Sequence, residues 1–138
     1  MKRKELAYSY NYVMLVDDNE LDNFINQKTI EVNYFAKKVY INTGSKSALE
    51  FLKNLEISGK ETSSFFPEVI FVDINMPMID GFQFIENLKA QLPNNFNSLK
   101  IVFLTSSIIP TDKARANKIS KNILFLNKPL NKEMLNQI

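Results

Sequence analysis

Short apolar runs alternate with amphipathic stretches along the chain. The apolar runs are continuous and three to five residues long, which is typical of strands that are buried on both faces of a parallel sheet. They predict five strands, at residues 12–16, 38–41, 69–72, 100–104 and 123–126. Between them, apolar residues recur at helical spacing. This spacing predicts five helices, from 20 to about 31, 47–55, 81–92, 110 to about 119 and 130–138.

Strands that alternate with helices are typical of βαβ units, which build a parallel sheet covered by helices on both faces. We therefore predict an α/β protein with a five-stranded, doubly wound parallel sheet. Residues 58–67 and 93–98 are predicted to be loops. The apolar stripes at 21–25 and 82–88 are interpreted as core positions rather than partner sites.

Composition narrows the class of protein. The 138 residues are 45% apolar and 23% charged, which favours one domain, residues 1–138, with a single packed core. The net charge of +2 is too small to indicate a nucleic-acid or membrane surface. The basic start is followed by an apolar run that polar residues interrupt, unlike a signal peptide, and no run reaches the roughly 18 residues of a membrane span. We expect a cytoplasmic protein.

The chain contains neither cysteine nor histidine. Disulfides, thiolate or histidine metal sites, a Ser–His catalytic pair and a histidine phosphodonor within this chain are therefore excluded. A bound metal must be held by oxygen atoms, which favours a hard ion such as Mg²⁺.

Polar residues follow four of the predicted strands. In an open parallel sheet, sites form outside the carboxyl ends of the strands, and in the order 2-1-3-4-5 strands one and three are neighbours. Three carboxylates would then lie together, with a hydroxyl one strand away and a lysine that can reach back over them. Such carboxylates need neutralising charge, which Mg²⁺ and the lysine can supply. These residues are Asp17, Asp18, Asp73, Thr105 and Lys128.

Taken singly, each of these residues has an ordinary structural explanation, such as a helix cap, a strand end or a solvated lysine. Together they favour phosphoryl transfer, because a carboxylate can attack phosphorus and form an aspartyl phosphate. That reaction needs positioning and charge neutralisation more than acid–base groups. The lack of histidine is therefore no obstacle.

The arrangement resembles the receiver domain of two-component response regulators, the CheY-like family, which has a flavodoxin-like (βα)5 fold with strand order 2-1-3-4-5. The resemblance covers nearly the whole chain. Its motifs are Asp17-Asp18 after strand one, Asp73 followed by Met76-Pro77 and Asp80-Gly81, Thr105 at the end of strand four, Phe125 in strand five, and Lys128-Pro129.

The resemblance implies a role for each matching residue. Asp73 would accept the phosphoryl group, and Mg²⁺ would be bound by Asp17, Asp18, Asp73 and the backbone carbonyl of Asn75. Thr105, Ser106 and Lys128 would surround the phosphoryl group. Thr105 and Phe125 would form a conformational switch, and the bond before Pro129 would be cis, which is accessible to X-Pro bonds.

The resemblance also implies partners and limits on activity. We expect a sensor histidine kinase as phosphodonor, an unidentified downstream protein, no nucleic-acid or membrane partner, and a monomer or weak dimer. The chain would have no attached output domain, although its short last helix is compatible with a piece of a longer protein. It would be no turnover enzyme beyond phosphoryl acceptance and slow autodephosphorylation, which Asn75 and Ser107 would tune.

Two alternatives stay open. One is a relay intermediate that passes the phosphoryl group to a histidine phosphotransfer protein. The other is a phosphohydrolase of the haloacid dehalogenase type, which would use an acidic residue two positions after the nucleophile, where this chain has Asn75. The stretch 118–122 also lacks the small Gly-Ala pair common in receivers, so the region of the fourth helix is expected to be unusual.

Overall fold

The computed structural model describes residues 7–57, 65–106 and 109–138. Five parallel strands form one sheet with the order β2-β1-β3-β4-β5. This confirms the predicted fold class and strand order. The strands are β1 (Tyr10–Val16), β2 (Ala36–Asn42), β3 (Val69–Val72), β4 (Lys100–Thr105) and β5 (Leu124–Asn127).

Six helices surround the sheet within the described ranges, one more than predicted. The predicted loop at 93–98 is wrong: it is a short helix that starts at Pro93, a residue suited to the first helical turn because no N–H is needed there. The last helix is shorter than predicted. The helices are α1 (Glu20–Val32), α2 (Ser45–Ile57), α3 (Gly81–Gln91), α4 (Pro93–Ser98), α5 (Pro110–Ile119) and α6 (Lys132–Leu135).

Alternate residues of the strands enter two apolar layers on opposite faces of the sheet. In β3, Ile70 and Val72 pack with α2, α3 and α5 on one face. Val69 and Phe71 pack with Ile30 of α1 and with the segment around α6 on the other face. The sheet is therefore buried on both sides, as its continuous apolar strands predict.

Of the two apolar stripes that were interpreted as core, one is buried and the other is exposed. The stripe at 82–88 is buried in α3, which confirms its interpretation. The stripe at 21–25 is exposed, so that interpretation is wrong: the exposed fractions are 66% for Leu21, 56% for Phe24 and 39% for Ile25.

The buried face of α1 instead contains Asn23, Asn26 and Ile30. The amide of Asn23 donates to the carbonyl of Asp17 at 2.8 Å, and the amide oxygen of Asn26 accepts from the backbone N–H of Leu130 at 3.1 Å. Because buried backbone groups need hydrogen-bond partners, amide side chains suit this face better than apolar ones near the strand ends.

Some predicted features lie outside the described residues, namely Ser107 and the loop residues 58–64. Over the part of the chain that is described, no helix combines the length and apolar character that crossing a membrane requires.

Candidate acidic site at the carboxyl edge of the sheet

Two buried carboxylates follow neighbouring strands. Val16 of β1 is paired with Val72 of β3, so the next residues, Asp17 and Asp73, lie side by side. Their backbones continue the sheet, since the N–H of Asp73 donates to the carbonyl of Val16 at 3.0 Å. With Asp18, they form a group in which one carboxylate oxygen of each residue lies within 4.8 Å of the other two.

The three carboxylates differ in exposure. Asp17 and Asp73 are only 5% and 8% exposed, whereas Asp18 is exposed to solvent. Asp17 is held in position because its Oδ1 accepts from the N–H of Asn19 at 2.9 Å. The site is thus closed towards the core and open at Asp18, where a solvated ion can enter.

Lys128 reaches the carboxylates from the end of β5. Its backbone N–H donates to the carbonyl of Thr105 at 2.8 Å, and the Lys128–Pro129 peptide bond is cis. The Nζ atom lies 2.6 Å from Asp17 Oδ2 and 3.6 Å from Asp73 Oδ2. The structure therefore brings Lys128 to the carboxylates, as the strand order predicts.

A further carboxylate, Asp22, contacts the same ammonium. Its Oδ2 lies 2.9 Å from Lys128 Nζ, closer than that of Asp73. This residue was not predicted from the sequence. Its position four residues after Asp18, in the first turn of α1, is the signal in the sequence that could have pointed towards the site.

The surroundings shift the pKa values of two groups. Burial raises the pKa of Asp73, and the neighbouring Asp17 raises it further, while Lys128 and the backbone N–H of Asn75 oppose the rise. Burial alone would lower the pKa of Lys128, but its hydrogen bonds to Asp17 and Asp22 outweigh burial and hold this pKa well above the usual lysine range. Lys128 is therefore a permanent cation in the site.

The loop after Asp73 is tightly folded. The N–H of Asn75 donates to the Asp73 carboxylate, and the N–H of Gly81 donates to the carbonyl of Ile74 at 2.9 Å. A Cβ atom on Gly81 would lie 2.5 Å from the carbonyl oxygen of Asp73, so only glycine fits this position without a shift of the backbone. Asp80 then starts α3 with a reciprocal capping box to Gln83.

The remaining predicted residues lie on the β4 and β5 side of the site. Thr105 is 1% exposed at the end of β4, beside β3, and Ser106 follows it at the surface. Phe125 is half-buried, and its ring centroid lies 5.2 Å from that of Phe103. Because Phe103 pairs with Phe125 and Thr105 with Asn127, Thr105 and Phe125 are diagonal neighbours on one face of the sheet.

The donor set fits a hard divalent cation. Three carboxylates offer oxygen atoms at close range, and one of them is open to water. Mg²⁺ prefers such oxygen ligands and retains several waters. Lys128 compensates only part of the negative charge, so a cation is electrostatically favoured.

Known proteins share the sequence pattern and the fold of this chain. Residues 13–138 match the family model described as the response regulator receiver domain. A crystal structure of a two-component response regulator from Cytophaga hutchinsonii is 30% identical, covers 92% of both chains and superposes with a TM-score of 0.82. The receiver domain of the histidine kinase CKI1 from Arabidopsis thaliana, solved in complex with Mg²⁺, is 20% identical, covers 89% of this chain and 86% of its own, and has a TM-score of 0.76.

Among curated proteins, the sensor histidine kinase CheAY of Helicobacter pylori is 28% identical over 126 residues, which are 91% of this chain and 14% of that protein. The chain spans less than half the length of the curated relatives that it matches.

Proposed function

Because the chain belongs to the response regulator receiver domain family, we propose that Asp73 accepts a phosphoryl group from a phosphohistidine of a partner histidine kinase. The observation that best supports this proposal is the position of the buried Asp73 carboxylate. It lies beside two further carboxylates and 3.6 Å from the Lys128 ammonium. One edge of the sheet thus combines a nucleophile, the fixed ammonium of Lys128 and a group of carboxylate oxygens that can hold a metal ion.

The proposed step is an in-line displacement at phosphorus. A carboxylate oxygen of Asp73 forms the new O–P bond while the P–N bond to the donor imidazole breaks, and the electron pair of that bond stays on the imidazole nitrogen. The N–H of Asn75 holds the Asp73 carboxylate in place. Lys128 pairs with the transferred group, whose charge adds to that of the site.

Asp17, Asp18, Asp73 and the backbone carbonyl of Asn75 are the residues that would hold Mg²⁺. When bound, this ion offsets the negative charge that carboxylates and phosphoryl oxygens bring together. Mg²⁺ in the Arabidopsis receiver domain supports the same choice of ion here.

Thr105 and Ser106 are proposed to contact the phosphoryl oxygens, with Thr105 hydrogen-bonding one of them. A movement of Thr105 towards the phosphoryl group would leave space that its diagonal neighbour Phe125 can enter. Phosphorylation would then change the surface near β5 and α5 through a local change of charge. The slow loss of the phosphoryl group would return the domain to its first state, so the chain acts as a switch rather than as a turnover enzyme.

The exposed face of α1 is proposed as the docking surface for the donor. Leu21, Phe24 and Ile25 are exposed on the helix that begins directly after Asp17 and Asp18. An apolar surface beside the phosphoacceptor suits a partner that must bring a phosphohistidine within reaction distance of Asp73.

The proposal is tested by intact mass measurement after incubation with Mg²⁺ and a small acyl phosphate. The wild type should gain one phosphoryl group, and Asp73→Asn should gain none. Asp112→Asn is a matched control, because it makes the same substitution in the first turn of α5, outside the acidic site, and it should be phosphorylated like the wild type. A gain that persists in Asp73→Asn would refute the assignment of Asp73.

A further inference from the structure

Helix α1 brings a carboxylate onto Lys128 from outside the predicted metal site. Asp22 Oδ2 lies 2.9 Å from Lys128 Nζ, whereas Asp73 Oδ2 lies 3.6 Å away. The Asp22 side chain is about one-third exposed, and the Lys128 side chain is 14% exposed. Among the described residues, the carboxylates close enough to share a metal ion are those of Asp17, Asp18 and Asp73. Asp22 therefore contacts the site through Lys128.

The contact between Asp22 and Lys128 is held by the surrounding structure. The Asn19 side chain caps α1 by accepting from the N–H of Asp22 at 3.0 Å. The next turn is held by a hydrogen bond. The buried amide oxygen of Asn26 accepts from the N–H of Leu130, two residues after Lys128. Both partners of the ion pair thus belong to segments that are bonded to each other, unlike a typical surface pair between independent side chains.

We propose that Asp22 is a positioning residue that holds the Lys128 ammonium away from Asp73 before phosphorylation and so restrains phosphoryl transfer. This inference rests on the proposed function of Asp73. An ammonium has three donors, and in this structure Asp17 and Asp22 hold it more closely than Asp73 does. A phosphoryl group on Asp73 adds negative charge and draws the ammonium towards it.

The direction of the effect follows from this geometry. Asp22 stabilises the position of Lys128 that precedes transfer, and an interaction that is stronger before the transition state than in it slows the reaction. Its negative charge also disfavours the approach of an anionic donor. Removing that charge should therefore speed phosphorylation, whereas structural damage to the site would slow it.

Asp22→Asn tests the inference, with Glu20→Gln as the matched control. Both substitutions remove one negative charge from the first turn of α1 and lose the same favourable interaction with the helix N-terminus. With Mg²⁺ and a small acyl phosphate, the initial rate of mass gain for Asp22→Asn should exceed that of Glu20→Gln by about 3- to 10-fold. Asp22→Glu, which restores the charge, should return the rate towards that of the wild type.

A second measurement does not depend on turnover. The ¹⁵N and ¹H resonances of the Lys128 ammonium, recorded without Mg²⁺ or phosphodonor, should shift in Asp22→Asn and remain in place in Glu20→Gln. An unchanged Lys128 resonance in Asp22→Asn would overturn the inference. So would a phosphorylation rate equal to or below that of Glu20→Gln.

Different results would refute the role of Asp22 and the function of Asp73. If the wild type is phosphorylated but Asp22→Asn and Glu20→Gln react at equal rates, only the role of Asp22 is refuted. If the wild type gains no phosphoryl group from the acyl phosphate or from a histidine kinase, the function of Asp73 is refuted, and the role of Asp22 with it.

Discussion

Lys128 and Asp73 face each other across the carboxyl edge of the sheet, with 3.6 Å between Nζ and Oδ2. This distance is one at which the ammonium attracts the carboxylate without a close hydrogen bond. Asp17 holds the same ammonium at 2.6 Å, so the positive charge is shared unequally. The negative charge of Asp73 is therefore only partly compensated. Several measurable properties depend on this imbalance.

Replacing Asp73 should stabilise the protein near neutral pH. Burial and the charge of Asp17 raise the pKa of Asp73 in the folded state, so the folded protein binds this proton more readily than the unfolded chain. Ionised Asp73 therefore reduces stability above its folded-state pKa, and the cost disappears as the pH falls through that pKa towards the unfolded value. Asp73→Asn should have the higher melting temperature at pH 7 without Mg²⁺, by a margin that shrinks in acid. A margin that grows in acid would contradict the prediction.

Mg²⁺ should stabilise the folded protein through the three clustered carboxylates. Binding to the native state alone adds about 2.7 kcal/mol to the free energy of unfolding at 100 times the dissociation constant. Thermal unfolding with increasing Mg²⁺ measures this gain. Asp18→Asn should weaken it strongly, and Glu20→Gln, an exposed acidic residue of α1, should leave it nearly unchanged. Equal Mg²⁺ responses in the two variants would exclude Asp18 as a ligand.

Removing the charge of Lys128 should destabilise the protein. In Lys128→Met, the buried Asp17 and Asp73 lose their common cation, and breaking such a buried pair costs about 3 kcal/mol. Denaturant unfolding at pH 7 measures the loss, and Mg²⁺ should restore part of it by supplying positive charge.

The stabilisation that the Lys128 charge provides should depend on pH in one direction. The pKa of Lys128 is raised in the folded state, so its stabilisation is complete below the unfolded pKa and is lost as the pH rises through the folded one. The deficit of Lys128→Met should therefore be constant from pH 7 to pH 9. A deficit that vanishes within that range would show that the ammonium is not held by carboxylates.

Gly81→Ala should disturb the loop that positions Asp73. Its Cβ atom would lie 2.5 Å from the Asp73 carbonyl oxygen and 3.0 Å from the Ile74 Cα, and overpacking against backbone costs about 1–3 kcal/mol. Phosphorylation should slow as well, because the carboxylate shifts with its backbone. Gly44→Ala is the control, since its nearest neighbour is 3.9 Å away. If both variants unfold at the same denaturant concentration, the close approach at Gly81 is not a constraint.

Several features of the fold were predictable because they depend on local chemistry. Continuous apolar runs such as 69–72 indicate strands that are covered on both faces, and their alternation with helices gives a parallel sheet. Once the strand order is assumed, the residues that end β1 and β3 must be neighbours. The proximity of Asp17 to Asp73 therefore followed from two strand ends.

Helix α1 shows where such prediction stops. Helical spacing indicates that 21–25 form one turn of a helix, and apolar composition favoured burial of Leu21, Phe24 and Ile25. Which face is buried depends on what the opposing surface requires. Here that surface presents the Asp17 carbonyl and the Leu130 N–H, which Asn23 and Asn26 satisfy.

The amino-acid sequence determined the α/β fold and the carboxylates at the strand ends, because periodicity and residue chemistry encode them along the chain, whereas the strand order was expected from the resemblance to receiver domains. Only the tertiary structure decided that Asp22 contacts Lys128 across 106 positions of sequence and that α1 exposes its apolar side chains. Those outcomes depend on the packing direction of a helix against distant segments. No local pattern specifies that direction, because it results from the sum of hydrogen bonds and burial over the whole domain.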